Sequence, residues 1–280
     1  MGINLSDKNR EQIQAKLPVI DDRFLLATQF GFGVATYDTS NKTHLHISLV
    51  CLYDAFRRLE MTRTALYRSY EGFVWYKEES KQSAASKEFW AVREGKFYAD
   101  YVVLLLYATA EDFAAFILHF LEIENEFKNW LEENSTQKIL EKKKRISSMQ
   151  AQVGVFMKKN YETHKITQSI LSLRDNEFWK KAMNYRNTWV HEKPPIIEGL
   201  GYEYNRKTRL ASGEGYRGFS FGSGSSANFN VEELMEFANK ATEICAKVAS
   251  ELLEVLIEKR ATELGETIDF ENGQISAELF

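Results

Sequence analysis

Between residues 234 and 256 the apolar side chains recur every three or four positions. Leu234, Phe237, Ala238, Ala241, Ile244, Cys245, Val248, Ala249, Leu252, Val255 and Leu256 mark one unbroken stripe. An α-helix puts residues at that spacing on one side of its axis, and a strand does not. A stripe this long must be buried, so other helices have to cover it. Punctuation agrees, because the 280 residues include only three prolines. Two of them, Pro194 and Pro195, are adjacent. So few breaks favour long helices over a many-turned β sandwich. The expectation is an all-α fold.

The same reading extends along the chain. Ser6 and the polar segment after it start a short helix that ends near Pro18, while residues 21–38, interrupted by Gly31 and Gly33, resist typing. From His44 the residues Leu45, Leu49, Leu52, Ala55, Phe56, Leu59 and Thr62 repeat at helical steps towards Lys77, and residues 80–86 read as a polar break. Residues 86–133 read as one long rod or two helices. Leu105, Tyr107, Phe113, Phe116, Ile117, Phe120 and Leu121 leave the second half apolar all round, as a central helix requires. After a basic run, Lys138, Lys142, Lys143, Lys144 and Arg145, helix resumes over 146–161 and again over 175–191. Asn230 with Glu233 gives a capping-box variant at the start of the final helix, and Gly265 stops it.

Residues 198–229 depart from this pattern. Tyr202, Tyr204, Phe219 and Phe221 alternate with polar residues on either side of Ala211-Ser212-Gly213-Glu214-Gly215, which is a small β-hairpin signal. Gly222-Ser223-Gly224-Ser225-Ser226 then reads as a loop. The tail after Gly265 centres on Asn272-Gly273, a type I′ turn signature.

Composition sets bounds on function. With 44% hydrophobic residues the chain can build a core without disulfide or metal. A net charge of −4 means that no whole-molecule field draws it onto nucleic acid, so any polyanion site must be local. Cys51 and Cys245 match no metal spacing and read as buried free thiols, which fits the cytoplasm. His44 and His46 lack an accompanying carboxylate or thiol cluster, and the Gly-Ser run lacks the lysine of a phosphate-binding loop. No metal or cofactor is expected. The N-terminus lacks the form of a secretory signal or a myristoylation site. The apolar stretch 101–123 carries Glu111 and Asp112 at its middle, which favours a buried helix over a membrane span.

The chemistry concentrates in Arg186-Asn187-Thr188-Trp189-Val190-His191. Pro194 and Pro195 forbid further helix, so His191 falls in a last turn. Unpaired carbonyls there favour the imidazolium and should raise its pKa towards neutrality, where proton transfer is effective. Arg186 is permanently charged and fork-shaped, suited to a phosphate or to the charge that builds when its bond breaks. On an ideal helix the two positions lie roughly 140° apart, so one helix aims both at a single atom only if its end unwinds. A second copy across a symmetric interface removes the difficulty. The plainer alternatives are a capping histidine and an ion-paired arginine.

Arginine, a polar residue, then histidine after four to six intervening positions resembles the hallmark of the HEPN superfamily of helical domains. The resemblance rests on residues 186–191 and on a helical chain from about 45 to 259. It implies a HEPN-like helical bundle over residues 41–265, with a hairpin or loop insertion at about 198–229. Residues 1–40 then form an untyped N-terminal segment, and 266–280 a tail with a hairpin signature. It further implies a metal-independent endoribonuclease in which two subunits form the cleft, of the kind found in toxin–antitoxin and phage-defence settings, with an antitoxin or regulatory partner. By carry-over His191 is the acid/base, Arg186 binds the phosphate and Asn187 orients. Attack by the RNA 2′-OH on its neighbouring phosphate leaves a cyclic phosphate, and DNA survives. The alternative is a non-catalytic HEPN-like domain that binds a nucleotide or a protein. A helical interaction protein with a coincidental motif is a third reading.

Two further features bear on these readings. From Lys180 to Arg217 the basic residues Lys180, Lys181, Arg186, Lys193, Arg206, Lys207, Arg209 and Arg217 face four acids, with Trp179, Tyr185, Trp189, Tyr202, Tyr204 and Tyr216 interleaved. That is either an RNA surface with stacking aromatics, led by Lys180, Lys181, Lys193, Arg206 and Arg209, or a core edge beside a solvated face. Glu111 and Asp112 need partners inside their apolar helix. A structural pair with an Arg or Lys of a neighbouring helix is one reading. Support of Arg186 or His191, with Asp112 the better candidate, is the other.

Overall fold

The computed structural model describes residues 3–23, 43–142, 149–191, 197, 200, 202–209, 215–221, 230–269 and 274–277, the backbone alone at 135–142, 149, 191, 202–209, 215–221, 266, 268, 269 and 274–277. The described residues are mostly α-helical. In chain order the helices are α1 (Asp7–Lys16), α2 (Thr43–Val74), α3 (Ala84–Phe120), α4 (Glu124–Lys142), α5 (Met149–Asn160), α6 (Lys165–Asp175), α7 (Glu177–His191) and α8 (Val231–Leu264). A single wider π turn, Trp75–Glu79, closes α2. Strands β1 (Tyr202–Arg209) and β2 (Gly215–Phe221) pair antiparallel, with Tyr202 opposite Phe221. Likewise β3 (Glu266–Asp269) pairs with β4 (Gln274–Ala277). The turn residues read from the sequence at 211–214 and 270–273, and the Gly-Ser run, lie outside the described residues, as do 24–42.

The chain divides into two compact units. One comprises Met1–Leu17, Thr62–Leu104 and Lys180–Ala241; the other comprises Pro18–Met61, Leu105–Trp179 and Thr242–Phe280. Helices α2, α3, α7 and α8 each contribute residues to both.

In the first unit the C-terminal part of α2, the N-terminal part of α3, α7 and the start of α8 pack together. Ser69 Oγ donates to the Gly95 carbonyl at 2.7 Å in the core. A Cβ added to Gly95 would meet Val231 Cγ2 at 3.0 Å and Met235 Sδ at 3.3 Å, so glycine lets α8 approach the α3 backbone. Gly72 plays the same part against Glu94, whose Cβ would lie 2.9 Å from an added Cβ. Ser6 and Asn9 at the start of α1 bind the Glu79 carboxylate, and Asn239 Nδ2 donates to the Lys16 carbonyl. The capping box at α8 is formed in both directions. Glu233 N donates to Asn230 Oδ1 at 2.7 Å, and Asn230 N donates to Glu233 Oε2 at 3.2 Å.

In the second unit Phe113, Phe116 and Ile117 of α3 are fully buried, as are Leu45, Leu52 and Leu59 of α2. Arg260 Nη1 reaches the Leu45 carbonyl, and Lys259 Nζ the Phe120 carbonyl. The long apolar run does not continue as a single rod. It stops after Phe120, where Glu122 takes φ 56°. Ile123 N bonds the Leu118 carbonyl and Glu122 N the His119 carbonyl, which is the Schellman ending with glutamate in the glycine position. A second break separates α6 from α7. Asn176 Oδ1 accepts from Phe178 N at 2.9 Å and Trp179 N at 3.0 Å, so α7 starts two residues later than 175.

Helix α3 is the one described helix long and apolar enough to cross a membrane, and 56% of its most apolar window is buried inside the protein.

Candidate functional site

The motif occupies the last turns of α7. Ala182 and Tyr185 are fully buried and Trp189 is half-buried, so these positions form the inward face of the helix within the first unit. Arg186 sits at the edge of that face, half-buried, with its Nη1 donating to Asn187 Oδ1 at 3.0 Å. Asn187 is exposed, and so are Lys180 and Lys181. Helical backbone persists through His191, so the end of α7 does not unwind before the histidine. The positions of Arg186 and His191 therefore keep the roughly 140° separation of an ideal helix. The imidazole itself, Lys193, and the side chains of Arg206 and Arg209 lie outside the described residues.

What holds this turn in place was not visible in the motif. Tyr185 donates its hydroxyl to Asp100 Oδ1 at 2.6 Å, both groups being buried. The other oxygen of Asp100 accepts from Lys96 Nζ, one turn earlier on α3. The same ammonium lies 5.8 Å from the centre of the Trp189 ring, within cation–π range. One turn of α3, residues 96–100, thus meets residues 185 and 189 of α7, on either side of Arg186. The Tyr185 ring also rests 5.9 Å from that of Phe237 on α8. Burial pushes the Asp100 carboxyl above its ordinary range, against the pull of Lys96 and Tyr185. Burial, and then the Asp100 charge, push the Tyr185 phenol far up, so it stays protonated and donates. In sequence, Lys96 and Asp100 look like an ordinary i,i+4 pair. The only hint that Asp100 is buried was the apolar company of Ala91, Val92, Ala99, Val102 and Val103.

Two of the aromatics read as stacking surface are not available for it. Tyr185 is fully buried and Trp179 is 4% exposed, so both serve packing. Their alternation with lysine and arginine reflected one buried helical face beside a solvated one.

Glu111 and Asp112 belong to the second unit, where their partners are found. Asp112 pairs with Arg58 of α2, and Glu111 Oε1 accepts from Gln150 N at 3.4 Å. Burial raises the Asp112 carboxyl to about 6; Arg58 opposes the rise, while Asp54 and Glu111 add to it. The nearby Cys51 thiol, half-buried, is raised to about 11 chiefly by burial, then by Asp112 and Asp54, and Cys245 is buried and free. His44 lies 3.5 Å from Glu122. Among the described residues no group of three or more His, Cys, Asp and Glu is placed to hold a metal.

Compared with protein-family models, with curated proteins and with solved structures, the chain matches none.

Proposed function

We propose that this protein is a metal-independent endoribonuclease of the HEPN type, with Arg186 and His191 acting in a cleft shared by two copies of the chain. The single observation that carries the reading is the motif Arg186-Asn187-Thr188-Trp189-Val190-His191 at the C-terminal end of an intact α7. A helix C-terminus favours a protonatable imidazole, and Arg186 donates to the exposed Asn187 beside it. The helix keeps the two positions on different sides of its axis, which favours a second copy supplying the complementary group.

The chemistry follows from the groups. His191 takes the proton from an RNA 2′-OH as that oxygen attacks the adjacent phosphorus. Arg186 binds the non-bridging oxygens, where negative charge builds. The bond to the 5′-oxygen breaks, the His191 imidazolium returns its proton to that departing oxygen, and a 2′,3′-cyclic phosphate remains. DNA lacks the attacking hydroxyl. Lys180 and Lys181, exposed one to two turns earlier on α7, would attract the backbone of the strand.

The same intact helix end supports a second reading, a HEPN-like domain that binds a nucleotide or protein without cleaving. Incubation of the full chain with single-stranded RNA in excess EDTA separates the two. Cleavage that leaves cyclic phosphate ends, spares DNA of the same sequence, and disappears in both Arg186→Ala and His191→Ala supports the nuclease. Intact RNA with the wild-type chain, or undiminished cutting by either variant, removes it.

A further inference from the structure

We infer that Tyr185 is a positioning residue for Arg186, and that the pair of half-buried Lys96 and buried Asp100 on α3 is the clamp through which it acts. The inference rests on the nuclease reading for its catalytic consequence, but the clamp itself is a matter of geometry. Tyr185 precedes Arg186 directly, and its hydroxyl is fixed to Asp100 at 2.6 Å. Trp189, three residues after Arg186 and inside the motif, lies under the Lys96 ammonium at 5.8 Å. Lys96 and Asp100 are themselves hydrogen-bonded, so a single turn of α3 grips α7 on both sides of the arginine.

That turn is anchored in its own right. Its neighbour Gly95 accepts from Ser69 through its carbonyl, and its Cα is closed in by Val231, Met235 and Phe73. The clamp therefore refers the rotation of α7 to a packed part of the first unit. A packed apolar residue at 185 could fill the same space, but it would leave α7 free to turn by small angles. Small angles matter here, because Arg186 sits at the margin between core and solvent. A rotation of α7 swings its guanidinium into or out of reach of a phosphate, and a displacement of about 1 Å can cost about a hundredfold in rate.

Tyr185→Phe deletes the hydroxyl and keeps the ring, and Gly265→Ala, in the second unit, serves as a control of lowered stability away from the clamp. Both are made in the full chain and assayed by hydrogen exchange and by RNA cleavage in EDTA. In Tyr185→Phe, exchange of amides 186–190 relative to those of 98–103 should rise about tenfold over the wild-type ratio. Its kcat should fall about tenfold to a hundredfold with little change in KM, the signature of a lost transition-state contact. Gly265→Ala should leave that ratio and kcat unchanged. A wild-type exchange ratio in Tyr185→Phe overturns the clamp, and so does an equal loss of kcat in Gly265→Ala. If the wild-type chain cuts no RNA, the nuclease reading and with it the catalytic role of Tyr185 fail, while the exchange data still decide whether the clamp exists.

Discussion

The phenolic oxygen of Tyr185 and Oδ1 of Asp100 lie 2.6 Å apart inside the first unit, joining helices whose contact is 85 residues apart in sequence. Asp100 is a buried carboxylate, and such a group is stable only when its oxygens are met by donors. Lys96 meets one oxygen and Tyr185 the other. Removing the hydroxyl in Tyr185→Phe should cost about 1–3 kcal/mol, the usual cost of leaving a buried acceptor short of its donor. In Tyr185→Phe with Asp100→Asn the two losses should not add, since the second change removes the charge that the first leaves exposed. Urea unfolding of the four forms measures this; strict additivity would show that the two side chains are energetically independent.

Two helix ends should respond in opposite ways to exchanging glycine and a residue with a Cβ. Glu122 holds φ 56°, a conformation that costs an L-residue about 1–2 kcal/mol. Glu122→Gly should therefore raise the melting temperature, less whatever its contact with His44 contributes. Gly265 holds φ 60° and donates its N–H to the Ala261 carbonyl at the end of α8. Gly265→Ala should lower stability by about 1 kcal/mol. Thermal unfolding of both variants gives the signs.

Glycines inside the helices make a second contrast. At Gly154 of α5 an added Cβ would find Arg174 Cδ at 3.6 Å, an ordinary contact. Gly154→Ala should stabilise by about 0.5–1 kcal/mol through helix propensity alone. At Gly72 the added Cβ would come within 2.9 Å of Glu94 Cβ, so α2 and α3 would have to move apart. There overpacking, at about 1–3 kcal/mol, outweighs the propensity gain, and Gly72→Ala should destabilise. Denaturant midpoints of equal sign for the two would contradict the packing argument.

Asp112 gives a pH dependence with a definite sign. Its carboxyl is raised from 3.8 to about 6, mainly by burial, so the folded state binds its proton more tightly than the unfolded chain does. The stability associated with this group is greatest when it is protonated. It falls as the pH rises from 3.8 to about 6 and is level above that. Asp112→Asn keeps the shape and removes the titration. The stability of the variant relative to wild type should therefore grow across that window. A wild type that instead gains on Asp112→Asn as pH rises would mean that the Arg58 pairing outweighs burial.

Much of the helical frame was legible because helices write their buried face into the sequence. The stripe from Leu234 to Leu256 became α8, and Asn230, Glu233 and Gly265 mark its two ends where their side-chain chemistry said they would. The stop after Phe120 was not legible, because glutamate rather than glycine occupies the left-handed position. Asn176 was missed as a boundary for a related reason: an asparagine reads equally as a helix interior residue until its side chain is seen to cap. At the candidate site the motif could be read directly, since its chemistry is local. The Lys96–Asp100–Tyr185 clamp could not, because the meaning of an i,i+4 pair depends on a partner supplied by a distant helix.

The central claim is that the arginine and histidine of the motif work on RNA together, one from each of two copies. Mixing the inactive variants Arg186→Ala and His191→Ala tests it, after unfolding and refolding them together so that subunits exchange. Mixed dimers retain one intact Arg186 and one intact His191, and the account predicts that EDTA-resistant RNA cleavage returns in the mixture to a substantial fraction of the wild-type rate. A mixture as inert as its two components, with exchange of subunits demonstrated, would contradict the shared cleft.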